Sequence, residues 1–290
     1  MKNGFFALQT FLAKSKRPAE SSRHAKKRWK NREAKISFSK TVMFFTLLFL
    51  FIPLIFIITY SFNESKEAVF TRPSLIWYKK LIFDSDALWH ALLNSVIVAL
   101  TSAAVATVLG TLASIGINWY KFAGRKFIQM LTFLPMVLPE VIVGISMLIF
   151  FSGIKVPLGL FTIFAAHTTF CLPFVFLMVN ARLDEFDYSI VEAAHDLGAS
   201  EFETMIKVIP AIMPGILSGF MMAVTMSLED FVITFFVAGP GSTTLPLYVY
   251  SMIRFGVSPV INSLSFVMIV FTCLFAFTLR KALKGIAASH

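Results

Sequence analysis

ARLDEFDYSIVEAAHDLGASEFETMIK, residues 181–207, is a polar stretch between two long apolar runs. Ile190, Ala193, Ala194 and Leu197 recur at i, i+3, i+4 and i+7, which predicts one apolar face on a short helix. Gly198 suits the end of that helix, because glycine adopts the left-handed conformation without a Cβ penalty. Ser200 followed by Glu203 has the spacing of a capping box and predicts the start of a second helix. The stretch therefore reads as helix, glycine turn, helix, lying at a membrane surface. An ordinary amphipathic surface helix fits the same residues.

The flanking sequence sets the fold class. The 290 residues are 57% apolar and 14% charged, with a mean hydropathy of +0.77. An ordinary soluble domain is about 45–50% apolar and about 25% charged. This composition argues against a single-domain soluble enzyme, a nucleic-acid binder or a disordered scaffold. A membrane-spanning helix needs about 20 apolar residues. Runs of that kind cover Thr41–Tyr60, Ala91–Tyr120, Phe127–Ile154, Val156–Ala181, Ala211–Phe236 and Val260–Leu279. The expectation is an all-α membrane protein of six transmembrane helices. Pro135 and Pro139 should bend or open the third run, and Glu229 and Asp230 interrupt the fifth. Two cysteines and five scattered histidines offer neither a disulfide framework nor a metal cluster.

The charge is unevenly placed. The net charge is +10, and residues 1–40 hold 12 Lys or Arg against Glu20 and Glu33, so the rest of the chain is neutral. Residues 1–40 read as a basic cytoplasmic tail resting on anionic headgroups, with Phe5, Phe6, Leu8, Phe11 and Leu12 forming an interfacial helix or lying disordered. No small-residue cleavage site follows the first apolar run, which argues against a signal peptide. With six spans, 20 basic residues fall on the side of the N-terminus and six on the other. That bias predicts both termini inside. Residues 41–284 form the membrane domain, with 182–207 as its longest inner loop and 285–290 as a C-terminal tail.

Glu192-Ala193-Ala194, three residues, then Gly198 resembles the EAA loop of ABC importer permeases. Nine residues later comes Val208-Ile209-Pro210, one residue short of the family spacing and with Val in the usual place of Ile. HTTFCLPFVFLMVNARL (167–183), SLEDFVITFFVAGP (227–240) and LPLYVYSMIRFGVSP (245–259) are similar to the second permease subunit of spermidine/putrescine ABC importers. The resemblance implies a type I ABC importer permease fold in a bacterial inner membrane. It implies that the helix bearing Glu192, Ala193 and Ala194 before Gly198 docks on a cytoplasmic ATPase and couples its motion to the membrane helices. It also implies a second permease subunit, two ATPase subunits and an external substrate-binding protein as partners, with lipid around the spans and no nucleic acid. No G-x-x-x-x-G-K-[ST] motif occurs, so ATP and Mg are expected on the partner ATPase, and this chain carries no cofactor and is not itself an enzyme.

Ionisable groups inside a span cost about 2.5–3.5 kcal/mol at a helix centre on insertion scales and mark function by default. Glu140, between Pro139 and Gly144, and the adjacent Glu229 and Asp230 are such groups. Under the polyamine resemblance they are candidates for the substrate pathway, together with Phe231, Tyr248 and Tyr250 as aromatic faces for cation–π contact. The opposing reading has the carboxylates bonded to backbone or hydroxyls, holding bent helices in shape. His167 is expected to hydrogen-bond to a neighbouring helix, Cys171 and Cys273 to pack, and residues 239–259 to form an outer gate helix. Other functions weighed are the same machine with another cargo (a cation, an iron complex or a small organic solute), a channel outside the ABC class, and a membrane enzyme.

Overall fold

The computed structural model describes the backbone of residues 19–66, 69–255 and 258–287, and the side chains of 38–66, 69–254, 258–274 and 277. The Phe5–Leu12 segment lies outside the described residues, as do the side chains of the basic residues up to Lys35 and of Arg280, Lys281 and Lys284. Eleven helices follow one another among the described residues, with a lone β-bridge between Asn63 and Pro73. The chain packs as two compact units: one made of its two ends, up to Tyr78 and from Pro259, the other of Lys79–Ser258.

The first unit pairs α1 (Ala19–Ser61) with α11 (Val260–Ala287). The 43 residues of α1 extend about 64 Å at 1.5 Å per residue, and Phe38–Ser61 is the stretch apolar enough to cross a membrane. Ser263 Oγ donates to the Ser61 carbonyl at 3.3 Å, and Phe62 meets Phe266 edge-on at 5.4 Å. The loop after α1 is tied by Asn63. Its amide donates to the Val69 carbonyl at 2.8 Å, its oxygen accepts from the Thr71 amide at 3.0 Å, and its carbonyl accepts from the Trp77 indole at 2.7 Å.

The second unit is built on three long helices, α3 (Asp86–Trp119), α6 (Leu160–Asp184) and α8 (Glu201–Glu229), each packed on the other two. Small residues let their backbones approach closely, as in membrane helix packing generally. Val175 of α6 is fully buried, pressed between Gly110 of α3 and Gly219 of α8. A Cβ added to Gly110 would lie 2.9 Å from Val175 Cβ, and one on Gly219 would lie 3.2 Å from Val175 Cα. Ala103, Ala106, Ala166, Ala223, Ile163 and Ile212 complete a core with almost no solvent contact.

The third apolar run is not one straight helix. It forms α4 (Arg125–Val137) and α5 (Glu140–Gly153), whose axes are bent by 107°. The bend was expected from its prolines. Pro139 lacks an amide proton, and Leu138 before it takes the extended conformation (φ −75°, ψ 141°) that a following proline imposes. α3, α6, α8 and Phe38–Ser61 are each long and apolar enough to cross a membrane, and the bent pair makes up to five such spans among the described residues.

The fifth run differs from expectation at its start. The second helix of the polar stretch does not stop before it but continues into it as α8, with Pro210 and Pro214 inside a 29-residue helix. The interruption falls where the acidic pair predicts. Asp230 is extended (φ −65°, ψ 122°), and a short helix, α9 (Val232–Val237), follows and packs on α5 and α6.

Candidate functional site

Two places in the second unit gather the residues singled out in the sequence. One is a cavity of about 350 Å³ lined by Glu140, Phe170, Met226, Glu229, Asp230, Phe231 and Val232. Glu140, Glu229, Asp230 and Phe231 stand at breaks in helices. Glu140 opens α5 just past the 107° bend, and Glu229 closes α8. Asp230 and Phe231 occupy the gap before α9. Glu140 and Glu229 are exposed, and among the described residues neither carboxylate is seen in a hydrogen bond or ion pair.

Asp230 is arranged differently. Its Oδ2 accepts from the Thr234 amide at 2.9 Å, from Thr234 Oγ1 at 2.8 Å and from His167 Nε2 at 3.0 Å. Its Oδ1 accepts from the Ile233 amide at 3.2 Å. An ionised carboxylate only accepts, so Nε2 carries the proton in this arrangement. His167 Nδ1 lies 2.7 Å from Ser227 Oγ, which lies 3.3 Å from Ser102 Oγ. The network joins α3, α6, α8 and α9. The expectation that His167 bonds to a neighbouring helix holds. Its partner, 63 residues away, was not legible from local sequence.

Neither tyrosine of the expected aromatic pair is among the residues lining the cavity, but Tyr250 meets the lining residue Phe231. The Tyr250 and Phe231 rings are tilted against each other, with centroids 4.6 Å apart and planes at 38°. Tyr248 and Tyr250 both lie on α10 (Leu245–Phe255), within the segment read as an outer gate helix. Two residues on a helix are separated by about 200°, so only one of them can face Phe231. Asn94 and Ser95 of α3 hold the turn before α10: the Asn94 amide donates to the Thr243 carbonyl at 3.0 Å, and Ser95 Oγ accepts from the Leu245 amide at 2.8 Å.

The second place is the polar stretch. α7 (Ser189–Asp196) carries Glu192, Ala193 and Ala194, and Gly198 follows at φ 83°. The Gly198 amide donates to the His195 carbonyl at 2.9 Å and the Ala199 amide to the Ala194 carbonyl at 3.0 Å, which together make a Schellman end. Ser200 Oγ accepts from the Glu203 amide and the Glu203 carboxylate accepts from the Ser200 amide, completing the capping box. Asp187 accepts from the Ser189 amide at 3.0 Å, and that bond holds its carboxyl below the usual range. Tyr120 donates to Glu201 at 2.8 Å, which raises the phenol and ties the end of α3 to the start of α8.

Val191 is the one α7 side chain buried in the unit. Val191 is not on the expected apolar face, which is open instead of packed, with Ile190 55% and Leu197 89% exposed. Glu192 and Ala193 are exposed as well, and Ala194 is half-buried.

Residues 106–284 match the family described as Binding-protein-dependent transport system inner membrane component. The chain belongs to this family. The match takes in both the cavity and the α7 loop of this inner-membrane transport component, a multi-pass membrane protein. Its relatives include the spermidine/putrescine transport system permease protein PotC of Escherichia coli, 38% identical over 77% of this chain and 84% of the relative. The putrescine transport system permease protein PotI of Escherichia coli is 40% identical over 75% of this chain and 80% of the relative. A crystal structure of a bacterial ABC transporter involved in import of the acidic polysaccharide alginate superimposes with a TM-score of 0.69 at 14% identity, covering 87% of this chain and 97% of that one. At that identity the likeness shows the ABC permease fold alone. The permease is all-helical among its described residues, as the apolar runs require.

Proposed function

We propose that this permease carries polyamines, spermidine or putrescine, inward across the bacterial inner membrane as the translocation subunit of an ATP-driven importer. The observation that carries this reading is the cavity where Glu140, Glu229, Asp230 and Phe231 meet at two helix breaks. A polyamine alternates ammonium groups with methylenes. Leaving water costs it hydration, which carboxylates restore through charge-assisted hydrogen bonds and an aromatic face supplements. The polyamine permeases among its relatives favour the same cargo.

The membrane arrangement is six spans with both termini inside, the sixth being α11, which places the α7 loop in the cytoplasm. There the open Ile190–Leu197 face and Glu192 fit a groove on a separate ATPase subunit, which binds ATP and Mg. Ala193, Ala194 and the Gly198 turn let the short helix approach and move as a rigid body. A second permease subunit closes the path that one bundle leaves open, two ATPase subunits drive it, and an external binding protein delivers cargo. ATP-driven closure of the ATPases turns the path outward, and hydrolysis resets it inward.

The test is ATP-dependent uptake of radiolabelled spermidine and putrescine into proteoliposomes holding the whole complex, with Glu229→Gln and Glu140→Gln beside wild type. Uptake by wild type, lost in the variants while binding-protein-stimulated ATP hydrolysis persists, supports the cargo and the site. Wild-type complex that hydrolyses ATP but accumulates neither polyamine removes the polyamine reading.

A further inference from the structure

The three carboxylates at the cavity are not equivalent. A carboxylate has about four acceptor sites. Asp230 fills its own from inside the protein, with two backbone amides of α9, the Thr234 hydroxyl and His167. The Asp230 and His167 side chains are 2% and 1% exposed. Asp230 has nothing left to offer an ammonium group in the cavity, whereas Glu140 and Glu229 are exposed there.

We propose that His167 and Asp230 form a positioning brace, not a cargo site: the pair fixes the break between α8 and α9 so that Glu229 and Phe231 project into the cavity. Removing either partner leaves the other buried and uncompensated, which is costly. His167 reaches the break from α6 and is itself seated by Ser227 one turn before it, so the brace ties the ends of both helices to a third. Cargo then meets Glu140 and Glu229, and Asp230 acts only through the backbone it holds. The inference rests on the cavity being the cargo path, but its geometry can be read without cargo.

The experiment places a cysteine at Glu229 in a Cys171→Ala, Cys273→Ala background, in the full complex in proteoliposomes. A quaternary-ammonium methanethiosulfonate reagent then labels it. In a brace, His167→Ala slows labelling about ten-fold, Asp230→Ala slows it equally, and the double variant is no slower than either. His167→Gln, which keeps a donor, stays within about two-fold of the parent. If His167→Ala prevents assembly, Ser227→Ala, which removes the Nδ1 contact together with the longer contact to Ser102, slows labelling about five-fold, and Ser102→Ala, which leaves the Nδ1 contact, does not. Unchanged labelling in His167→Ala and Ser227→Ala, or effects of His167→Ala and Asp230→Ala that multiply, would overturn the brace. A separate arm adds spermidine. Failure of spermidine to protect the cysteine in the parent counts against the polyamine reading and leaves the brace comparison standing.

Discussion

The Ala199 amide donates to the Ala194 carbonyl at 3.0 Å, across a glycine held at φ 83°. This bond turns the chain from α7 into α8 and fixes where the Glu192-Ala193-Ala194 helix stands. No atom lies within 4 Å of where a Gly198 Cβ would be, so substitution meets backbone strain and not a clash. Left-handed conformation costs an ordinary residue about 1–2 kcal/mol. Gly198→Ala should leave membrane insertion intact and lower the number of polyamines moved per ATP, and Gly198→Val should lower it further. The ratio of uptake to hydrolysis in proteoliposomes reads this. A Gly198→Val complex coupling as wild type does would sink the role given to the turn.

Val191 of α7 and Leu197 at its C-terminal cap stand at opposite ends of the exposure scale, 2% against 89%. The first anchors α7 to the membrane domain, and the second lies open for a partner. Leu197→Asp is therefore expected to reduce co-purified ATPase about ten-fold, in line with loss of an apolar interface anchor, with no change in the permease's thermal melting. Val191→Asp buries a charge and should lower the melting temperature itself. The prediction fails if Leu197→Asp melts early or if Val191→Asp does not.

Much of this was readable because membrane helices advertise themselves in composition. The runs around Thr41–Tyr60, Ala91–Tyr120 and Val156–Ala181 needed only length and apolarity, and α7 with its Gly198 end needed only local spacing. Leu138-Pro139 announced a break, because proline restricts its own residue and the one before, but the 107° angle depends on what packs against each half. Pro210 and Pro214 lie inside α8 without ending it, because a membrane helix tolerates proline where its surroundings re-satisfy the freed carbonyls. Glu140 and Glu229 were marked by the cost of charge in a span. That Asp230 turns inward to His167, and that Tyr250 rather than Tyr248 meets Phe231, are contacts between distant segments that no local pattern encodes.

Gly110 faces Val175 so closely that an added methyl would come within 2.9 Å of the valine Cβ. Overpacking of this kind costs about 1–3 kcal/mol. Gly110→Ala should therefore lower the melting temperature of the detergent-solubilised complex. Val175→Ala should lower it too, by opening a cavity. Because the two act on one contact, the double variant should melt above the sum of the separate losses. Strict additivity in differential scanning fluorimetry would show that α3 and α6 do not meet this way.

Phe231 sits at the break after the acidic pair, lines the cavity and is tilted against Tyr250 at 4.6 Å and against Phe235 at 5.7 Å. The two neighbours hold the ring in place, so its face is presented at little entropic cost. An ammonium over an aromatic face gains about 0.5–2 kcal/mol as it loses water. That range corresponds to about a two- to thirty-fold change in apparent affinity. Phe231→Leu keeps the apolar volume and loses the quadrupole, so the KM for spermidine uptake should rise within that range. Phe231→Trp, with the stronger ring, should hold or lower it. Tyr250→Leu should act through Phe231 with a smaller rise, whereas Tyr248→Leu should leave KM unchanged, because Tyr250 and not Tyr248 holds the Phe231 ring. Initial uptake rates against spermidine concentration separate these cases. Equal KM values for Phe231→Leu and wild type would mean that cargo passes the ring without touching its face, leaving Glu140 and Glu229 to bind it by charge alone.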